Sequence, residues 1–193
     1  MKCCNLKILI YIIVIIVLLI FSINYYYTNR LDIKYMITSV SYSVTILSVL
    51  SFILKMWLWK LKFLQGYFIL IPNLNGKWEG EIKSDWINPK TNKKIPAIPV
   101  SIEIKQNLFH ISIKVITKEM TSYSKVASFY IDKEQQQEQL FYTYTSIPLQ
   151  SIQERSRIHY GSVVLDIGDN CLSGIYWTNR KTSGDIHVKK ITC

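Results

Sequence analysis

Seven residues in the C-terminal part of this chain have the chemistry to hold a flat, anionic molecule: Trp86, Tyr144, Arg157, His159, Tyr176, Thr178 and Arg180. Arg157 and His159 lie two apart, as do Tyr176, Thr178 and Arg180, so each set falls on one face of an extended strand. Read as inward-facing, both arginines carry charge into an interior with few carboxylates nearby. An unpaired interior charge is costly. An external anion removes that cost. Guanidiniums match phosphate oxygens, and Trp86 and Tyr144 offer faces on which bases stack. Tyr176, Thr178 and Ser146 add hydroxyl groups. The plainer alternative is that the arginines splay into water at a rim and hold nothing. Catalysis is not indicated. His110 and His187 are expected to face outward, and His159 stands alone inside. The sequence has no Ser/His/Asp or Cys/His constellation, Gly-rich phosphate loop or metal-ligand cluster. The expectation is a binding protein, with no metal, no cofactor and no enzyme activity.

The patterning that would position these residues begins abruptly at Asn75. Trp78, Gly80, Ile82, Ser84 and Trp86 alternate with Lys77, Glu79, Glu81, Lys83 and Asp85. That period of two describes a strand with one wall buried and one in water. Eight such runs are predicted: 77–86, 95–106, 109–118, 122–132, 139–146, 157–167, 171–179 and 184–191. Their short polar links predict an up-and-down antiparallel β-barrel, minimal and lipocalin-like, over residues 75–193. A barrel of this size has room for one small ligand. A two-sheet sandwich is the alternative, although its crossovers would need longer links.

Alternation points Ile98, Val100, Ile102 and Ile104 inward, with Phe109, Ile111, Ile113, Val115 and Thr117 beside them. The fourth run is ambiguous between Tyr123/Phe129 and Ser122/Ser124/Val126. Because successive strands run in opposite directions, Trp78, Ile104, Phe109, Leu140, Leu165 and Leu172 share one rim, apolar and filled. Ser84, Trp86, Thr117, Tyr144, Ser146, Arg157, His159, Thr178 and Arg180 share the other. The filled end is expected to face the N-terminal segment and the equipped mouth to face away. Gly76-x-Trp78 is similar to the lipocalin entry motif, whose tryptophan closes the barrel bottom. Trp78 is accordingly read as structural, with Lys190 covering it.

Residues 1–74 are of another kind. Residues 8–23 run sixteen positions without a charge, roughly 24 Å of helix against a ~30 Å hydrocarbon core. Lys7 can snorkel, and Tyr25, Tyr26 and Tyr27 form an interfacial belt. A signal peptide is the rival reading. It is disfavoured because no small-x-small cleavage site follows and a second uncharged run, 36–54, comes soon after. The prediction is a transmembrane hairpin: first helix and loop over 1–34, second helix and interfacial linker over 35–74. An exit helix is expected at 57–63. Lys2, Lys7, Lys55, Lys60 and Lys62 flank the hairpin, whereas its loop sets Arg30 and Lys34 against Asp32. This excess puts both termini and the barrel in the cytoplasm. Thr38, Ser41, Thr45 and Ser48 recur at helical spacing and form a small hydroxyl face suited to close helix packing. That face is expected to meet the first helix alone, or also a second copy of the chain.

Charge narrows the partners. Lys and Arg exceed Asp and Glu by 23 to 13. The N-terminal 74 residues hold seven basic and one acidic residue, a balance suited to anionic lipid headgroups. The remainder holds sixteen basic and twelve acidic residues, too even for a DNA- or RNA-binding face. Cys3, Cys4, Cys171 and Cys193 have no metal spacing and are too few for a disulfide framework, which fits a reducing compartment.

Two spans, a Gly76-Lys77-Trp78-Glu79-Gly80 strand start, and a closing Tyr176-Trp177-Thr178-Asn179-Arg180 with Gly184 together resemble one bacterial family. It is that of the SMODS-associating two-transmembrane, β-strand-rich effectors of CBASS anti-phage systems. The resemblance covers the whole chain and rests on layout more than on any short motif. It implies a cytoplasmic β-barrel that recognises a cyclic dinucleotide made by a partner nucleotidyltransferase. It further implies homo-oligomerisation of the hairpins, disruption of the inner membrane and abortive infection. The rival is a membrane-tethered, lipocalin-like carrier or sensor of a small apolar ligand, for which an apolar mouth would be expected.

Overall fold

Two apolar helices open the chain in the computed structural model, which describes residues 4–29, 32–89, 91–132, 134–154 and 156–191. Lys2, Cys3, Arg30 and Cys193 lie outside these. Helix α1 (Leu6–Thr28) is capped by Asn5, whose side-chain oxygen accepts from the Lys7 N–H, and stops at Asn29 in a left-handed conformation. Its 23 residues amount to roughly 35 Å. The uncharged run alone falls short of a bilayer, but the helix does not, because Tyr25–Tyr27 continue it. Helix α2 (Ile33–Met56) follows, and both helices are long and apolar enough to cross a membrane.

The α1–α2 contact does not use the expected hydroxyl face. Asn24 Nδ2 donates to Ser39 Oγ (2.6 Å) and to Tyr35 O (3.0 Å). Ser39 and Ser43 are the buried residues of α2. Ser41, Thr45 and Ser48 are exposed and Thr38 is half-buried. Each of these four hydroxyls donates to the carbonyl one turn back. The exit helix expected at 57–63 shrinks to a single 3₁₀ turn at Leu58–Lys60, followed by turns through Gly66 at φ 82°. Residues 4–72 form one compact unit together with Asn107–Phe109.

The second unit is the barrel. Its strands are β1 (Gly76–Ser84), β4 (Ile98–Gln106), β5 (Ile111–Thr117), β6 (Met120–Asp132), β7 (Gln137–Pro148), β8 (His159–Ile167), β9 (Cys171–Thr178) and β10 (Ser183–Lys190). Each pairs antiparallel with the next in sequence, and β10 returns to β1, so the barrel is closed and the sandwich is excluded. Two further strands, β2 (Ile87–Asn88) and β3 (Lys93–Lys94), form a small separate hairpin that alternation did not foresee.

Val100, Ile102, Ile104, Ile111, Ile113 and Val115 are buried as alternation requires. Phe109 is not. It lies in the turn before β5, 62% exposed, and Ile111 is the first inward residue of that strand. The ambiguity in the fourth run has a physical cause: a bulge between Ser124 and Val126 resets the register. Before it Ser122 is buried; after it Phe129 is, while Tyr123 and Val126 face outward. At the filled end Trp78, Leu140, Leu165 and Leu172 are all buried, and Lys190 Nζ stands 5.4 Å from the Trp78 ring.

Candidate ligand-binding site

At the opposite end two tyrosines lie across glycines. The register pairs Tyr144 with Gly161 and Tyr176 with Gly184. A Cβ on Gly161 would run into the Tyr144 ring and hydroxyl, and one on Gly184 would come within 2.8 Å of the Tyr176 ring. At Gly161 the ring occupies the space that the missing side chain leaves open; at Gly184 the backbone of Lys83 and Ser84 excludes a side chain together with the ring. Tyr142 and Tyr144 are neighbours, with centroids 6.1 Å apart. Burial pushes the Tyr144 phenol up to about 12. It also raises Tyr142, and it raises Tyr176 against the opposing hydrogen bond from Ser84. All three stay protonated near neutrality and can donate. Further along β7 toward this end, Ser122 Oγ donates to Ser146 Oγ (2.9 Å), which donates to Met120 Sδ (3.1 Å).

Arg180 belongs to the turn between β9 and β10. Thr178 Oγ1 accepts from the Arg180 N–H (3.2 Å) and lies 2.7 Å from Thr182 Oγ1, so its hydroxyl shapes that turn. The guanidinium donates through Nη1 to Ser156 Oγ at 2.9 Å. Its Nη2 stands 3.4 Å from His159 Nε2. His159 is buried, and its Nδ1–H donates to Arg157 O at 3.2 Å. That bond leaves Nε2 bare, an acceptor turned toward the cation.

Burial first, and then the Arg180 charge, depress the His159 pKa, while the Arg157 carbonyl opposes them. The fold therefore holds a neutral imidazole. Unfolded chains protonate near the ordinary value of about 6.5, so this contribution is whole above that pH and is lost as pH falls below it. The melting temperature of the wild type is expected to fall between about pH 7.5 and about pH 5 more steeply than that of His159→Gln. Equal slopes in differential scanning fluorimetry would remove His159 from the account.

The structure corrects the inward placement of the arginines. β8 begins at His159 and β9 ends at Thr178, so strand alternation stops before it reaches Arg157 or Arg180, and both are exposed on the rim. Trp86 likewise lies beyond β1, 42% exposed, with its N–H bonded to Ser84 Oγ. His159 and Arg180 are brought together, and Tyr144 and Tyr176 lie close enough to feel the Arg180 charge. Sequence reasoning missed Ser156, which sits off the strand pattern. It also missed the roles of Gly161 and Gly184, whose inward positions opposite tyrosines were legible. Two cavities of about 330 and 400 Å³ are elsewhere, against the outer wall at Gly80 and Pro99.

The arrangement is that of a small receptor barrel: one end packed, the other lined with phenols and topped by an oriented cation. Residues 69–190 match the family model described as Cap15, cyclic dinucleotide receptor domain. The CD-NTase-associated protein 15 of Staphylococcus schleiferi is 30% identical over 152 residues, covering 79% of this chain and 79% of that protein. That of Escherichia albertii is 30% identical over 167 residues, covering 79% of this chain and 80% of its own. The chain belongs to the Cap15 family. The resemblance to CBASS effectors read from the sequence is thereby upheld, and the family's description is of a receptor rather than a catalyst.

Proposed function

We propose that the mouth binds a cyclic dinucleotide supplied by a partner nucleotidyltransferase, and that binding makes this protein an anti-phage effector at the inner membrane. Arg180 carries the reading. Its guanidinium is held by two neutral groups, Ser156 and His159, and it enters none of the ion pairs among the described residues. A cation that is oriented but not neutralised suits a phosphodiester. Tyr144 and Tyr176 supply donors, Trp86 a stacking face, and Arg157, His159 and Thr178 complete the rim. The apolar-carrier reading has less support, because Leu140, Val163, Leu165 and Leu172 already fill the interior.

Two-pass anchoring, with both termini and the barrel in the cytoplasm, is part of the same proposal. Ligand that favours assembled barrels raises the local concentration of helix pairs, so weak helix contacts suffice. The Thr38, Ser41, Thr45 and Ser48 face is the candidate contact, since α1 packs against Ser39 and Ser43 instead. Oligomerised hairpins then breach the membrane and kill the infected cell.

The test is calorimetric titration of the detergent-solubilised full chain with a panel of cyclic dinucleotides. Saturable binding to one of them supports the receptor; silence from folded protein overturns it. In proteoliposomes, Ser41→Leu with Ser48→Leu is expected to retain ligand binding and lose ligand-dependent dye release. Unchanged release would count against this helix face.

A further inference from the structure

The outer wall of the barrel is of two kinds. Over β1, β10, β4 and β5 many of its outward positions are charged, among them Glu79, Glu81, Lys83, Glu103, Lys114 and Lys189. Over β6 to β9 few are. One cross-strand row runs from Val126 to Trp177 through two small hydroxyl residues, with Tyr123 and Tyr160 on one side of it and Phe141 and Ile175 on the other. These six side chains are between 38% and 68% exposed. Groups of this size, about half exposed, present roughly 500–700 Å² of mostly apolar surface, at or above the largest patch of an ordinary monomer and near one partner's share of a specific interface. The charged groups among these strands' described outward residues stand at its border: Lys125 at the bulge, Asp132 at the end of β6, and Asp166 bound by Gln139.

We infer that this wall is where two copies of the chain meet, barrel against barrel, in the assembly proposed above, on which the inference rests. A closed barrel offers no free strand edge, so barrels can associate only through faces or loops. A two-fold contact sets a patch against itself. On the β1 side that would desolvate many charged groups; on the β6–β9 side the apposed centres carry none. A lipid surface is the less fitting occupant, since anionic headgroups call for Lys and Arg where this wall has aromatic and aliphatic groups.

The experiment uses the full chain in detergent micelles, with assembly followed by mass photometry and ligand binding by calorimetry. Val126→Glu with Ile175→Glu places four acidic groups across the contact. This variant is expected to bind cyclic dinucleotide as the wild type does, yet to need about a hundredfold higher concentration for half-assembly. Glu79→Gln, on the charged wall, is expected to change neither. If the double variant assembles like the wild type, the wall is wrong while the receptor and its assembly stand. If the wild type binds ligand but never assembles, the proposed assembly falls, and this wall with it. Cross-linking makes the test independent of any folding defect. With the four native cysteines changed to serine, the Val126→Cys protein is expected to form a self-linked dimer with a short bis-maleimide when ligand is present. No dimer overturns the contact. So does quenching of a fluorophore at that position by brominated lipid, which would assign the wall to the bilayer.

Discussion

Arg180→Ala is expected to weaken cyclic dinucleotide binding by about 30- to 150-fold, the equivalent of ~2–3 kcal/mol for losing charge-assisted hydrogen bonds to a phosphodiester. The guanidinium is already anchored by Ser156 Oγ at 2.9 Å and His159 Nε2 at 3.4 Å. Little side-chain entropy then remains to be lost on binding, which is why its contribution should lie in the upper range. Arg180 is exposed and lies in a turn, so its removal should barely alter the melting temperature. Arg180→Lys keeps the charge but not the planar fork, and is expected to recover only part of the affinity. Arg157 is exposed and precedes β8, and the contact that involves it is made by its backbone carbonyl. Arg157→Ala should therefore cost no more than about fivefold. The wild-type affinity should also fall with ionic strength, and that of Arg180→Ala less so. If calorimetry gives Arg180→Ala the wild-type affinity, the mouth is not the site, even where the receptor reading survives.

The barrel was legible because its signal repeats. Alternation at Val100–Ile104 and Ile111–Val115 is confirmed strand by strand, and short polar links leave little choice of topology. What escaped lies where repetition stops. Arg157 and Arg180 keep the parity of their neighbours in the sequence, but the strands end first, and residues beyond a strand end no longer obey its pleat. The bulge at Ser124/Val126 adds one residue, which is why two opposite face assignments each held for half of β6. In α2 a helical period fits several stripes equally well. The choice of Ser39 and Ser43 depends on Asn24, a polar partner on another helix that no single-helix pattern reveals. The proposed site was thus approached through residue types, while its geometry rests on turn contacts such as Thr178 to Thr182 and Arg180 to Ser156.

The largest stability effect is expected at the other end of the barrel. Trp78→Ala should cost about 3–5 kcal/mol, the range for emptying a buried aromatic site in a packed core. Trp78 is 2% exposed, lies between Ile102 and Lys190 in the register, and donates from Nε1 to Leu74 O at 3.0 Å. Leu74 is itself tied to Gln106, and Gln106 to Asn75, so the indole closes a latch between the entry segment and β4. Against a domain stability of roughly 5–15 kcal/mol, such a loss consumes a large share, and much of the variant should unfold at modest denaturant. Trp78→Phe keeps most of the buried area and loses mainly the indole hydrogen bond, about 1 kcal/mol. Circular dichroism of the full chain in urea separates the two. The comparison also tests the division of labour between the ends. Trp78→Phe, still folded, should bind cyclic dinucleotide as the wild type does, because the mouth is formed by the opposite ends of the strands. A folded Trp78→Phe protein that had lost ligand affinity would move the site to the packed end and leave Arg180 as a surface residue with two neutral neighbours.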